Sequence, residues 1–336
     1  MQQVCALLYP VNPPRNPHEL FRILSRFPHS LMKRDLISFA LWGTKDFNTV
    51  FECCRRIKSG DLQNVPLLQR KTIALIFEQE SLRTRVAFEV GVTQLGGHPI
   101  FLQRETIGIA KRESVHDVAR VLSGYCDMIV ARTAGHQTCV QLAESARIPV
   151  INAMTDLLHP CQILADVFTL EEAGRFGVGT KITYLGDGNN IANSWLELAE
   201  KLAFHLVVCC PPGYEPHPQI LEQARAHAAG RVTLTHDPKE AVKAADVIYT
   251  DVWPQTPGGG ARLAHVFKPY QVNKSLLKEA KKDCLIMHRL PANRGEEITS
   301  EVLDGKNSLA LVQAENRLHV QKGIMASLLG NGSPGS

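Results

Sequence analysis

The sequence predicts an α/β protein built from two doubly wound domains, each a parallel sheet flanked by helices. Three observations carry that prediction. Short β-branched or aliphatic runs alternate with longer stretches of helical period. The runs fall into two sets separated by a helix and Gly-rich sequence after Pro160. Finally, 336 residues with 44% apolar and 21% charged side chains are enough for two cores of ordinary size.

In chain order, Thr72 to Phe77, Met128 to Ala131 and Pro149 to Asn152 read as strands of the first sheet, being short apolar runs bounded by polar or turn-forming residues. Val115 to Tyr125 reads as a helix, because Val115, Val118, Ala119, Leu122 and Tyr125 share one face. Pro160 opens a helix that leaves the first sheet and ends near Gly179. The second set of strands is Lys181 to Gly186, Leu206 to Cys210, Val232 to Thr235, Val247 to Thr250 and Cys284 to His288. A last helix, about Ala314 to Leu329, carries Leu318, Met325, Leu328 and Leu329 on an apolar stripe and is expected to pack back on the first domain. The expected division is an extension (1–32), a first domain (33–163, completed by 314–329), a second domain (164–313) and a disordered Gly/Ser/Pro tail (330–336).

Lys plus Arg number 37 against 33 Asp plus Glu, a small and scattered excess that gives no reason to expect nucleic acid or a membrane as partner. Every apolar run is interrupted before the roughly 20 residues a membrane span needs, so a soluble protein is expected. Nine cysteines, two pairs of them adjacent, suit buried thiols in a reducing compartment. The basic amino terminus holds Arg15, Arg22 and Arg26 against Glu19 alone, which leaves an organelle matrix open beside the default cytoplasm.

The strongest chemical signal is the run Ser81-Leu82-Arg83-Thr84-Arg85, where a strand gives way to a helix. Free N–H groups at a helix start, hydroxyls and guanidiniums together make an anion site, and phosphate is its natural guest. The competing reading is a Ser-capped helix with solvated arginines. Four further polar clusters follow strands: Arg132-Thr133, Asp187-Gly188-Asn189-Asn190, Asp251-Val252-Trp253 and His288-Arg289-Leu290-Pro291, and His159-Pro160-Cys161-Gln162 follows another apolar run. Polar groups at the carboxyl ends of parallel strands lie where open α/β sheets bind ligands, so one shared cleft is expected. No G-x-G-x-x-G follows the first strand of either half, which argues against a dinucleotide-binding protein.

With these motifs in hand, the sequence resembles the ornithine carbamoyltransferases, within the wider family that includes aspartate and N-acylornithine carbamoyltransferases. The resemblance spans roughly residues 33 to 330, through SLRTR at 81–85, QLGGH at 94–98, ES-x-x-D-x-A-R-V-L at 113–122, HPCQ at 159–162, DGNN at 187–190, PPGYEP at 211–216 and ENR-x-x-x-QK at 315–322. It implies carbamoyl transfer from carbamoyl phosphate to an amine, with L-ornithine the default acceptor and citrulline the product, and with neither metal nor cofactor. By the same resemblance Ser81, the Leu82 backbone, Arg83, Thr84 and Arg132 hold the phosphate. Thr84, Arg132 and His159 face the carbonyl oxygen, Gln162 meets the carbamoyl amino group, and Arg317 lies near it. Arg132, His159, Arg289 and Arg317 are the implied catalytic set, and Asn190, Asp251 and Leu290 the acceptor side. The family is typically a trimer or a multiple of trimers, with Lys111 donated to the neighbouring subunit's site.

Three departures bear on the acceptor. Leu82 stands where the family usually has a hydroxyl residue, Arg289 replaces the Cys of the usual HCLP, and Pro254 to Gly260 replace a Ser-Met-Gly loop. The Arg289 guanidinium disfavours an ammonium nearby. It is expected to lower the acceptor amine's pKa, pair with a carboxylate on another acceptor, or pair with Asp251 and block the site. A carbamoyltransferase for a different amine, and a weak binding paralogue, are the alternatives.

Overall fold

The structure, a computed structural model, describes residues 33–62, 65–103, 108–109, 112–254 and 263–330. The amino-terminal extension, Lys111, the loop residues 255–260 and the tail from 331 onward lie outside the described residues.

The first sheet contains β1 (Thr72–Phe77), β2 (His98–Gln103), β3 (Met128–Arg132) and β4 (Val150–Met154), all parallel in the order β2-β1-β3-β4. Strand β2 is absent from the sequence reading. Its second residue is Pro99, which a central strand would exclude because it donates no ladder bond. The structure places β2 at the sheet edge, where that defect is tolerated. Helix α1 (Thr44–Ser59) precedes this sheet, and α2 (Leu82–Gln94), α3 (Val115–Tyr125), α4 (His136–Ser145) and α5 (Pro160–Glu172) follow its strands. Helix α3 has the predicted bounds, with Ser114 Oγ capping Asp117 N at 3.1 Å.

The second sheet contains β5 (Lys181–Leu185), β6 (His205–Cys209), β7 (Arg231–Thr235), β8 (Val247–Thr250) and β9 (Leu285–His288), parallel in the order β7-β6-β5-β8-β9. Helix α6 (Asn190–Ala199) follows β5, α7 (Pro218–His227) follows β6, α8 (Pro238–Val242) follows β7, the short helices α9 (Ala264–Phe267) and α10 (Lys274–Leu277) lie between β8 and β9, and α11 (Ser300–Leu303) follows β9. The reversal of strand order between β5 and β8 brings the loops after both strands to one crevice.

Helix α5 ends at Glu172, short of the expected Gly179; Gly174 then turns the chain with φ +63°. The last helix, α12 (Ala310–Leu328), starts four residues earlier than its pattern indicates, because Leu311 and Val312 in its first turn are exposed and carry no core period. It packs on α1, α2 and α5, as expected of a helix returning to the first sheet. The approach to α1 is close: a Cβ at Gly323 would overlap the Cys54 thiol. The predicted apolar stripe is only part of its buried surface, which also takes in Gln313, Asn316, Arg317, Gln321 and Lys322. One apolar core runs through both halves, from Leu75 and Phe88 through Phe168 of α5 and Ile324 of α12 to Trp195 and Tyr249. The eight described cysteines are buried. No helix among the described residues is long and apolar enough to cross a membrane.

Candidate active site

Strand β1 ends at Phe77, and helix α2 begins after Ser81, the residue at its N-cap position. The Ser81 side chain makes no capping hydrogen bond, so the Ser-capped reading of this run does not hold. Arg83 and Thr84 therefore sit in the first turn, where backbone N–H groups have no intrahelical partner. Arg132 ends β3 opposite Phe77, at a register shift between Ala131 and Arg132 that turns its side chain. Its Nη2 donates to the Glu80 carbonyl at 3.3 Å, tying it to the β1–α2 loop.

His159 stands at the N-cap position of α5 beyond β4 without a capping hydrogen bond from its side chain, and α6 holds its loop in place. Asn190 Nδ2 donates to Thr155 O at 2.7 Å, Asn193 Nδ2 to Leu157 O at 3.2 Å, and His159 N to Ser194 Oγ at 2.8 Å. Helix α6 is thereby a clamp from the second half onto the backbone of the loop that carries His159. Arg317 arrives from α12 and donates from Nη2 to the Thr84 hydroxyl.

These elements enclose a cavity of about 290 Å³ lined by Glu80, Ser81, Leu82, Arg83, Thr84, Arg132, His159, Arg289, Leu290, Pro291 and Arg317. Nine of the residues picked from sequence thus converge on one volume, while Glu80 and Pro291 add themselves through the loops that carry their neighbours. Gln162, three residues beyond His159 along the chain, is buried and is not part of this lining. Asn190 also lies outside it, its Nδ2 taken by Thr155.

Four guanidiniums so close together repel one another. Burial, followed by the charges of Arg289 and Arg83, lowers the pKa of Arg132 to about 10; burial, followed by Arg83 and Arg289, does the same for Arg317. Arg83 is lowered for the same reasons, desolvation first and Arg289 next. Nε of Arg83, Arg132 and Arg317 is buried with no protein partner. A dianion fits this set, since at about 4 Å and an effective dielectric near 20 each cation–anion pair gains on the order of 4 kcal/mol before desolvation. Burial and the charges of Arg317, Arg289 and Arg132 hold the His159 pKa well below its ordinary value, so the imidazole is neutral and presents one N–H.

On the other flank, Arg289 Nε donates to Asp251 Oδ2 at 2.7 Å, and Asp251 is 1% exposed. Of the three roles expected for Arg289, the structure shows pairing with Asp251. Asn189, whose role sequence reasoning missed, bridges this carboxylate to Asp187: its Nδ2 lies 3.1 Å from both Asp251 Oδ2 and Asp187 Oδ1. Gly188 permits the arrangement, since a Cβ there would collide with the backbone of Glu215 and Pro216, and its N–H reaches Tyr214 O at 2.7 Å. Burial, with help from Asp251, raises the Asp187 pKa to about 7. The turn carrying Arg289 is anchored by buried His288, whose Nδ1 accepts from Leu290 N at 2.9 Å and whose Nε2 lies 3.1 Å from Glu297 Oε1. Leu290 is held at φ +56°.

Residues 34–172 match the family model described as aspartate/ornithine carbamoyltransferase, carbamoyl-P binding domain, and residues 178–328 match its Asp/Orn binding domain. The chain belongs to the aspartate/ornithine carbamoyltransferase family. Among relatives in that family, the chain is 50% identical over 303 residues to an ornithine carbamoyltransferase of Syntrophus aciditrophicus, covering 89% of this chain and 100% of the relative. It is 52% identical over 265 residues to that of Chlorobaculum tepidum, 78% of each chain. Among solved carbamoyltransferase structures, ornithine carbamoyltransferase from Pyrococcus furiosus superposes with a TM-score of 0.86 at 43% identity, over 89% of this chain and 98% of that one. The Thermus thermophilus enzyme superposes with a TM-score of 0.80 at 40% identity, over 88% and 98%. As a member of this family the chain is a transferase of carbamoyl groups, and the two-sheet fold read from its sequence is the fold of these enzymes.

Proposed function

We propose that the protein transfers the carbamoyl group of carbamoyl phosphate to the side-chain amine of L-ornithine, giving L-citrulline and phosphate. The observation that carries this reading is the gathering of Arg83, Arg132, Arg317 and neutral His159 around one cavity. The amine nitrogen attacks the carbonyl carbon, the bond to the phosphate oxygen breaks, the phosphate keeps the electron pair and the amine gives up a proton. Negative charge grows first on the carbonyl oxygen and then on the leaving phosphate, so fixed donors aimed at both lower the barrier.

In this reading Ser81, the Leu82 N–H, Arg83, Thr84 and Arg132 take the phosphate, Thr84, Arg132 and His159 address the carbonyl oxygen, and Arg317 lies near the carbamoyl group. Gln162 accepts from the carbamoyl amino group. Asp251, Asn190 and Leu290 form the acceptor side, with Arg289 between the two halves. Residues 33–163 with 314–329 serve carbamoyl phosphate, and 164–313 serve the acceptor. A trimer or a multiple of trimers, with Lys111 reaching a neighbour's site, completes the proposal. Its support is an apolar stripe beside the cavity on α2, formed by Leu82 (74% exposed), Val86 and Val90. Cytoplasmic residence is proposed from the bacterial and archaeal relatives.

Arg289 favours a second reading, an acceptor other than ornithine, because its pairing with Asp251 occupies the carboxylate that an ammonium would use. The deciding assay incubates the protein with carbamoyl phosphate and a panel of amines and follows ureido product and phosphate together. Citrulline formed at ordinary enzyme rates supports ornithine. Product from another amine alone selects the second reading, and carbamoyl-phosphate binding with no product from any amine overturns both in favour of a binding paralogue.

A further inference from the structure

Asp166 lies one helical turn beyond Gln162 on α5 and is wholly buried. Its Oδ1 accepts two amide N–H bonds, from Gln162 Nε2 at 2.7 Å and from Gln313 Nε2 at 2.7 Å. Gln313 is fixed from its other end, because its Oε1 accepts the His288 N–H at 3.0 Å, at the start of the Arg289 turn. Its Nε2 also lies 3.2 Å from the Tyr249 hydroxyl. The Gln162 amide is likewise committed on its nitrogen side, leaving Oε1 buried with no protein partner. A glutamine amide can turn over and exchange its donor end for its acceptor end at little cost when neither end is held.

We propose that Asp166 is a positioning residue for recognition of the carbamoyl group: by holding Gln162 Nε2, it leaves only a carbonyl oxygen for the substrate's amino group. This rests on the reading that Gln162 meets that amino group. With the amide turned over, two sets of N–H donors would face each other, and the site would lose its means of telling an amino group from a methyl. Gln313 extends the same hold through His288 N to the strand end that carries Arg289, so the carbamoyl half and the acceptor half share one buried carboxylate.

Acetyl phosphate is the probe, since it keeps the phosphate and carbonyl of carbamoyl phosphate and has a methyl in place of the amino group. The affinity ratio of carbamoyl phosphate to acetyl phosphate is measured in the unsubstituted protein and in Gln162→Met, Asp166→Leu and Asp166→Asn. The expected ratio is tenfold or more in the unsubstituted protein and close to one in both Gln162→Met and Asp166→Leu, with inorganic phosphate bound as before. Asp166→Asn, which keeps an acceptor oxygen for both amides, restores most of the ratio. Loss of the ratio in Gln162→Met with an undiminished ratio in Asp166→Leu overturns the positioning role and leaves the reading of Gln162 standing. An unchanged ratio in Gln162→Met overturns both. Should Asp166→Leu fail to fold, hydrogen exchange of the Gln162 side-chain amide in the unsubstituted protein decides: slow exchange is expected, and exchange at the rate of a free amide overturns the proposal.

Discussion

The Arg289 guanidinium joins the two sides of the site: its Nε is hydrogen-bonded to Asp251 Oδ2 at 2.7 Å, and it lines the cavity that holds Arg83, Arg132 and Arg317. Burial opposes its charge, but Asp251 more than compensates and holds it above the ordinary arginine value. Replacing Arg289 by Cys frees the Asp251 carboxylate for an ammonium and leaves it buried without a cation. Breaking a buried pair this way costs about 3–5 kcal/mol. Arg289→Cys is therefore expected to melt lower than the unsubstituted protein, to gain more from added ornithine, and to show a kcat/KM for ornithine raised about tenfold, roughly 1.4 kcal/mol. Melting curves with and without ornithine, together with steady-state kinetics, check this; an unchanged kcat/KM removes Arg289 as the element that limits ornithine use.

The mutually repelling guanidiniums make a simpler prediction. Inorganic phosphate stabilises the folded protein, by about 2.7 kcal/mol at a hundred times its Kd. Arg83→Ala or Arg132→Ala abolishes most of that gain, while raising the melting temperature of the phosphate-free protein or leaving it unchanged, because a like charge is removed from the cluster. Differential scanning calorimetry across a phosphate series reads both effects. A phosphate-induced rise that survives in both variants places the anion elsewhere.

His159 is neutral for reasons that do not depend on substrate: burial, Arg317, Arg289 and Arg132 all disfavour its proton. Its ordinary titration near 6.5 is absent, so kcat at saturating substrates shows no limb from this imidazole as the pH falls through 6.5. As one preorganised donor to the carbonyl oxygen, it supplies about 10²–10³ in rate, and His159→Ala loses that factor in kcat with little change in phosphate affinity. Pre-steady-state kinetics and a nitrogen-15 imidazole titration provide the check. An imidazole titrating near 6.5 contradicts the electrostatic picture.

The buried carboxylate of Asp166 has a folded pKa of about 7, raised mainly by burial against the opposing pull of Gln162 and Gln313. Because the folded value lies above the unfolded one, the folded state binds more protons between roughly pH 4 and pH 7, and stability falls as the pH rises through that window. The cost is absent below the window and complete above it, on the order of 4 kcal/mol in full. Asp166→Asn removes the titration. The stability of the unsubstituted protein relative to this variant should drop between about pH 4 and pH 7, as measured by denaturant unfolding; parallel profiles would show that Asp166 does not titrate there.

Much of the fold was legible because central parallel strands are short apolar runs and their carboxyl ends carry the polar clusters. Strand β2 was not, since Pro99 inside His98–Gln103 argues against a strand until its edge position is known. The phosphate side was legible from SLRTR, Arg132 and His159 because each marks a strand end or helix start. The hold on Gln162 was harder to see. Asp166 reads as one charged residue in the apolar middle of α5, between Ala165 and Val167, and its i, i+4 spacing from Gln162 is the only local sign of a pair. Its second partner, Gln313, lies 147 residues away in sequence, and no local pattern could supply it. Arg289 was legible as an anomaly, but which anion it pairs with depended on the β8 and β9 ends being neighbours.

The central claim is that the cavity bounded by Arg83, Arg132, His159 and Arg317 is where carbamoyl phosphate meets ornithine. The most direct measurement is a crystal structure with an analogue that joins a phosphonoacetyl group to the side-chain nitrogen of ornithine, combining both substrates in one molecule. The phosphonate is expected at the α2 start within hydrogen-bond reach of Arg83 and Arg132, the carbonyl oxygen beside His159, and the amino-acid head at Asp251. A phosphonate bound away from these arginines would contradict it.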